Sequence, residues 1–184
     1  LVLAVSPASH VLARDARDAE EVDRSGARWA VTLICTLTAL TYLVAGLAKL
    51  RVGGWSMDWA NGDLLQAHVA FDNLRKAELG HVVAPLGPWL VRQPWVFGPL
   101  AWLTLALEVL APLALLNARV GRVWALSAWG FHFGVLWTMA IFFPYPLLGF
   151  GLASFFAVEG IWKTKRGQAV ASRLRLLPQR ASTP

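Results

Sequence analysis

Charged residues are scarce in this chain of 184 residues: they make up 15% of it, against about 25% in ordinary soluble domains. Hydrophobic residues make up 57%, and the mean hydropathy is +0.51. This balance argues against a soluble domain and predicts an integral membrane protein. The net charge is +6, but the basic residues adjoin apolar segments. Membrane lipids, and not nucleic acid, are therefore the expected partner.

Cysteine and the usual catalytic motifs are also nearly absent. Cys35 is the single cysteine and lies in an apolar run, so it cannot form an internal disulfide, and packing is its expected role. The sequence has no P-loop, no G-x-S-x-G motif and no dinucleotide-binding fingerprint. Its four histidines lack the paired spacing of a di-iron bundle, so no metal site is predicted.

Apolar segments divide the chain into spans and connections. They predict an all-α membrane bundle with three to four transmembrane helices, at about 29–50, 95–116, 123–143 and 147–162. The connection 55–94 carries too many charges to span. Within it, apolar residues at helical spacing predict an amphipathic helix on the membrane surface over 64–79, and 86–91 is a second short interfacial piece. Residues 1–28 read as the end of an earlier helix and a polar linker, and 163–184 as a basic tail.

The distribution of basic residues predicts the orientation. Twelve lysines and arginines fall on the side that holds the linker, the turn before the third span and the tail, whereas five fall on the other side. We expect a protein of the bacterial inner membrane, and cytoplasmic loops are enriched in lysine and arginine. Its basic tail is then cytoplasmic, and the connection 55–94 lies on the outer face.

Three ionisable residues interrupt the apolar segments: Lys49, Glu108 and His132. Lys49 ends the first span and either snorkels to the headgroups or is a functional lysine. Glu108 and His132 are at similar predicted depth, so they are expected to meet. Each is either a buried, neutral, hydrogen-bonded group or part of a proton relay or ligand pocket. Wall residues expected for such a pocket are Thr41, Tyr42, Ser127 and Trp129, and the candidate cofactor-binding residues are Tyr42, Trp129 and Trp55.

Four short segments carry a resemblance to a known family. The stretch 42–55, YLVAGLAKLRVGGW, has the pattern Y-x-x-A-G-x-x-K-L, and FHFGV follows at 131–135. FPYPLLGFGLASFF follows at 143–156, and SPASHVLARDAR precedes them at 6–17. In this order they resemble the vitamin K-dependent gamma-carboxylase-like family, also called the HTTM domain. The resemblance covers most of this chain but only the later part of the family's membrane domain.

The resemblance implies a specific chemistry. In the carboxylase the lysine of this motif is thought to deprotonate vitamin K hydroquinone, and Lys49 matches that lysine. His132 matches the histidine of the family's later F-H motif. The cofactor implied is a quinone or another lipophilic molecule that approaches through the bilayer. The histidine that assists the lysine in the animal enzyme has no visible match in this chain.

Two functional hypotheses remain open. The first, which we favour, is a non-catalytic accessory or structural subunit of a larger membrane complex that packs against partner helices and lipid. The second is a quinol-binding, gamma-carboxylase-like enzyme in which Lys49 is the base and His132 or Glu108 relays the proton. A channel or transporter is weaker, because the sequence shows no inverted repeat.

Overall fold

The structure is a computed structural model that describes residues 24–52, 57–81 and 83–156, with side chains from Trp29 onward. The chain divides into two compact units, residues 1–34 with 156–184, and residues 35–155. The described part of the first unit is the beginning of one long helix together with Phe156.

All regular structure in the described residues is helical, which confirms the all-α class. Six α-helices are numbered here in chain order: α1 Arg24–Val52, α2 Asp63–Glu78, α3 Gly87–Val91, α4 Phe97–Val109, α5 Ala118–Met139 and α6 Pro144–Leu147. Four 3₁₀ helices connect them: Asp58–Asn61, Pro94–Val96, Ala111–Leu115 and Leu152–Phe155. The predicted amphipathic helix and the short piece at 86–91 correspond to α2 and α3.

One helix of the described chain is long and apolar enough to cross a membrane, the part of α1 at Trp29–Val52. The length and composition of the other described helices do not confirm the expected three to four spans. A helix predicted over 95–116 is instead divided into Pro94–Val96, α4 and Ala111–Leu115. Pro112 explains the break, because it has no N–H to donate to the carbonyl of Glu108, and it disfavours helical geometry at Ala111.

The last two predicted spans also need correction. The helix expected at 123–143 runs from Ala118 to Met139. It begins earlier because the Asn117 side chain caps it, accepting hydrogen bonds from two backbone N–H groups at 3.0 Å each. Where one helix was expected at 147–162, α6 is followed by Gly149 and Gly151, both at positive φ, and then by the 3₁₀ helix. Left-handed glycines end a helix. Residues 157–162 lie outside the described residues.

Alanines are frequent in the core of the second unit, beside buried large side chains such as Phe97 and Trp124, and many other large apolar side chains face outward. The buried alanines include Ala39, Ala101, Ala111, Ala125 and Ala128. The large exposed apolar side chains of α4 and α5 include Trp102, Leu103, Val123, Leu126 and Trp137. Helices that associate within lipid favour small residues at their contacts, and a water-soluble protein rarely exposes an apolar surface of this extent. The packing therefore suits a bilayer environment.

Helix α2 is amphipathic, but its polar face is the one that packs on the protein. Val69, Asp72 and Asn73 are buried, whereas Phe71 and Leu74 are exposed, Phe71 to 67%. The apolar stripe that the sequence assigned to the membrane surface is thus left open to its surroundings. This arrangement is compatible with a helix that lies on a bilayer and keeps its polar face toward the protein.

Candidate functional site

The central polar contact joins two apolar helices. Nζ of Lys49, on α1, donates a hydrogen bond to Oε1 of Glu108, near the end of α4, and these two atoms are 2.5 Å apart. The Glu108 side chain is 5% exposed and that of Lys49 is 22% exposed. Because an isolated buried charge is costly, each of these two groups requires the other. Lys49 therefore turns inward to a carboxylate.

Gly46 brings the two helices close enough for this ion pair. A Cβ atom added at Gly46 would lie 2.9 Å from Cβ of Glu108 and 2.9 Å from Cγ2 of Val109. Lys49 is three residues further along α1, so it lies on the same helical face, one turn away. The spacing A-G-x-x-K thus has a physical meaning in this chain. Glycine allows the close approach, and lysine provides the charge that meets Glu108.

Aromatic rings surround the ammonium group of Lys49. Its Nζ atom lies 5.0 Å from the centre of the Trp59 ring and 5.9 Å from the centre of the Phe131 ring. Both distances allow cation–π attraction, which strengthens as water is excluded. Trp59, which lies in the connection between α1 and α2, was not predicted from the sequence. The sequence left open whether Lys49 snorkels to the headgroups or has a functional role; in the structure its ammonium group lies among protein groups.

A second polar contact joins α1 to α5. The hydroxyl of Tyr42 and Nε2 of His132 are 2.7 Å apart. The Tyr42 ring also packs edge-on against Trp124, with 5.0 Å between the ring centres. The rings of Phe143 and His132 are in contact as well, with their centres 5.3 Å apart. Trp124 in turn donates from Nε1 to the carbonyl oxygen of Leu107 at 2.9 Å. Aromatic packing of this kind holds both hydrogen-bonding groups in place.

Glu108 and His132 line the same cleft, although their hydrogen bonds run to Lys49 and Tyr42. The cleft has a volume of about 820 Å³, and its other walls are mainly apolar side chains of α1, α5 and the 141–152 segment. Thr41 and Tyr42 line it as well, as the sequence led us to expect. One oxygen of Glu108, Oε2, and Nδ1 of His132 have no protein partner among the described residues. A mainly apolar cleft with a few polar groups is typical of a small-molecule site.

Other predicted wall residues lie elsewhere. Trp129 is 42% exposed, and its Nε1 donates to the carbonyl oxygen of Leu147 at 3.0 Å, so it packs on the segment after α5. Ser127 lines a separate cavity, described below. Trp55 falls at a position outside the described residues. The structure thus brings Tyr42, Glu108 and His132 to one cleft, with Lys49 paired to Glu108.

A polar cluster that the sequence did not single out holds the end of α5. The last carbonyl groups of a helix lack partners within it. Here the carbonyl oxygen of Trp137 accepts from the N–H of Leu86 at 3.1 Å, and that of Thr138 accepts from Nδ2 of Asn73 at 2.8 Å. The carbonyl oxygen of Met139 accepts from Lys76. The buried polar face of α2 is therefore a cap for α5, and a lysine suits that position because it faces the negative end of the helix dipole.

Asp72 holds this cluster together. Its two carboxylate oxygens accept from Arg75 at 2.9 Å and from Lys76 at 2.6 Å. Burial by itself would raise the pKa of Asp72, but the hydrogen bonds and positive charges of Lys76 and Arg75 outweigh it and hold that pKa below its usual range. The carboxylate is therefore charged at neutral pH. The sequence signal was the i, i+3 and i, i+4 spacing of these charges.

Among the described residues, no group of three or more histidine, cysteine, aspartate or glutamate side chains is arranged to hold a metal ion. The polar groups at the cleft offer hydrogen bonds and one ion pair instead. No protein-family model, curated protein or solved structure matches this chain. Its function is therefore argued from the geometry of these groups.

Proposed function

We propose that this protein is an integral membrane protein that serves as a non-catalytic subunit of a larger membrane complex, and that Lys49 has a structural role in it. The observation that carries the proposal is the Lys49–Glu108 ion pair, 2.5 Å long, between α1 and α4. A lysine acting as a base must present an uncharged amine to its substrate. The ammonium group of Lys49 instead forms an ion pair with the Glu108 carboxylate and lies near the Trp59 ring, so it joins two helices.

Exposed apolar side chains support the subunit role. Large residues face outward along α4, the following 3₁₀ helix and α5, among them Trp102, Leu116, Val123 and Leu126. Lipid tails and partner helices both fit such a surface. A small helical protein with this much outward apolar area is suited to a position within an assembly.

The experiment is a purification in mild detergent, with co-purifying proteins and lipophilic molecules identified by mass spectrometry. A stoichiometric set of other membrane proteins is the expected result. An isolated protein that is active as a monomer would contradict the proposal. As a paired test, Lys49→Arg keeps the charge and should retain the assembly, whereas Lys49→Met should reduce it.

A second candidate function is quinol binding with Lys49 as base, and the 820 Å³ cleft is the observation that favours it. Tyr42, Glu108 and His132 would provide the polar contacts to a quinone head, and the surrounding apolar side chains would contact its ring and tail. In this candidate, Glu108 would have to accept a proton from Lys49 before Lys49 could act.

The two candidates differ in their response to substitution. If the protein is a quinol-dependent enzyme, Lys49→Ala and Lys49→Arg both abolish that activity, and a quinone co-purifies with the wild type. If both variants keep every quinol-dependent activity, the enzymatic candidate fails. If the enzymatic candidate is right, Tyr42→Phe, which keeps the ring and removes the hydroxyl, should weaken quinone retention by about tenfold, the effect of losing one good hydrogen bond.

We extend the proposal to location. Trp29–Val52 supplies a helix of spanning length; with three further crossings within 95–162, twelve of the seventeen lysines and arginines lie on the same side as the tail. The bacterial inner membrane, with a cytoplasmic tail and the connection 55–94 on the outer face, is the proposed arrangement. Protease added to sealed right-side-out vesicles should leave the tail intact. Cleavage of the tail from outside would reverse the orientation.

A further inference from the structure

A second cavity lies between α2, α3, α4 and α5, separate in its chemistry from the polar cleft. Its volume is about 400 Å³, within the range of about 300–1,000 Å³ that is usual for ligand sites. The walls are mainly leucine, valine, phenylalanine and methionine side chains, such as Leu65 of α2, Leu90 of α3, Leu107 of α4 and Val135 of α5. Among the described residues, no charged side chain lines it. An apolar occupant is therefore favoured.

The hydroxyl groups on the cavity wall do not change this chemistry. Thr104 donates to the carbonyl oxygen of Ala101 at 3.0 Å, Ser127 to that of Val123 at 3.0 Å, and Thr138 to that of Gly134 at 2.7 Å. Each hydroxyl has thus given its one hydrogen to its own helix. The hydroxyl groups of Thr104, Ser127 and Thr138 therefore have no hydrogen left to donate to a polar ligand, which favours a hydrocarbon occupant beside them.

Wall residues of α4 and α5 are exposed, which indicates that the cavity opens between these two helices. Gly130 and Gly134 of α5 line it, and a Cβ atom added at either would meet nothing within 4 Å. Leu103 of α4 lines it too and is 66% exposed. The opening therefore lies beside the outward-facing apolar surface of both helices. A hydrocarbon chain can enter there from a surrounding bilayer without crossing water.

One end of the cavity is next to an excess of positive charge. Thr138 and Met139 line that end, and Lys76 donates to the Met139 carbonyl oxygen. Arg75 and Lys76 share the single carboxylate of Asp72, so this cluster has one positive charge left over. The Arg75 side chain is largely exposed. Of the remaining acids of α2, Asp63 is in the first turn, whereas Glu78 shares the last turn with Arg75 and Lys76, whose ion pairs run to Asp72. An anionic group near Arg75 would be attracted to the cluster.

We propose that this cavity binds one acyl chain of a membrane phospholipid, whose phosphate lies at Arg75 and Lys76. The apolar walls and lateral opening accept the chain, and the positive charge at the α2 end complements the phosphate. The inference rests on the proposed membrane location and is independent of the role of Lys49. The bound lipid would join α2 and α3 to α4 and α5 through hydrocarbon contacts.

The test measures binding of palmitoyl-oleoyl phosphatidylglycerol and palmitoyl-oleoyl phosphatidylcholine to the detergent-purified protein by native mass spectrometry. The double variant Gly130→Leu/Gly134→Leu fills the cavity, and its affinity for both lipids should fall by about tenfold or more. Ala118→Leu adds the same side chain at an exposed position of α5 outside the cavity and should leave binding unchanged. Arg75→Gln should weaken binding of the anionic lipid more than that of the zwitterionic one.

A thermal melt of each variant guards against misfolding, and Leu103→Trp, at the opening, is a second way to obstruct the cavity. Unchanged lipid binding in a folded Gly130→Leu/Gly134→Leu variant would overturn the inference while leaving the membrane location intact. If the folded double variant loses a co-purifying protein but still binds lipid, the inference is also overturned, because the cavity would then accept a helix of that protein. Recovery of the wild type from cells in the aqueous fraction, without detergent, would instead overturn the membrane location and the inference together.

Discussion

Two polar clusters in the second unit differ in how the chain builds them. The Lys49–Glu108 pair joins residues 59 positions apart in apolar helices, whereas Asp72, Arg75 and Lys76 are neighbours on one polar helix. The first exists because Gly46 allows two helices to approach, and the second follows from helical spacing alone. The comparison shows that similar ion pairs can depend on tertiary contact in one region and on local structure in another.

Removing one partner of the long-range pair should have the largest effect. Lys49→Met leaves the buried Glu108 carboxylate without a countercharge, and we expect a loss of about 3–5 kcal/mol in the free energy of unfolding. Chemical or thermal unfolding in detergent measures it. Arg51→Met, at an exposed position two residues further on, is the control and should change stability by less than about 0.5 kcal/mol.

The double variant Lys49→Met/Glu108→Leu sharpens this prediction. It replaces the pair by apolar side chains, so most of the lost stability should return. If the double variant is as unstable as Lys49→Met, the pair contributes through something other than the compensation of buried charge.

The cap that α2 provides for α5 should be the next most sensitive feature. Asn73 accepts from the N–H of Ala84 at 2.9 Å and donates to the Thr138 carbonyl oxygen. Asn73→Leu would leave both backbone groups without this partner, at a cost of about 1–3 kcal/mol for each buried group. The free energy of unfolding measures the loss. Asn61→Leu, at an exposed asparagine, is the control, and an equal loss there would contradict the capping role.

A third prediction compares two helical glycines. Gly46→Ala adds a Cβ atom against Glu108 and Val109, so we expect a destabilisation of about 1–3 kcal/mol from overpacking. Gly130→Ala adds the same atom where nothing lies within 4 Å, so the better helix propensity of alanine should stabilise by up to about 1 kcal/mol. Opposite shifts in the melting temperature are the expected result. Shifts of the same sign would contradict the close approach at Gly46.

The smallest expected effect is the pH dependence of the local cluster. Lys76 and Arg75 hold the pKa of Asp72 below its usual range, and the unfolded value is about 3.9. The stabilisation is thus fully present above about pH 4 and is lost as the pH falls through the folded-state pKa. Unfolding measured from pH 6 to pH 2 should show a steeper loss in the wild type than in Asp72→Asn. Asp63→Asn, at an exposed acid, should keep the wild-type slope.

Local patterns in the sequence predicted the helical class and the positions of α2 and α3, because those features depend on periodicity and on charges a few residues apart. The ends of helices were predicted less well. Pro112 and Asn117 are residues that mark such ends, but a prediction from apolar composition alone did not take them into account. The role of Asn73 had no such signal, since its partners at Ala84 and Thr138 are 11 and 65 positions away.

The residues of the candidate site could also be predicted from the sequence, whereas their contacts could not. Lys49, Glu108, His132 and Tyr42 stood out because polar groups are rare and costly in apolar helices. Their pairing was not predictable: Glu108 and His132 were expected to meet, but each bonds to a residue of α1 instead. Trp129 was predicted to line the pocket, but it packs on the segment after α5.

By itself, the sequence determined that this chain is helical, apolar and carries a few ionisable groups that must find partners, because composition and helical spacing are properties of the chain alone. Only the tertiary structure decided which partners these are. The choice depends on where small residues such as Gly46 allow helices to approach, and on which helix ends remain to be capped. Those are distances between segments far apart in sequence, and the short-range pattern of residues does not contain them.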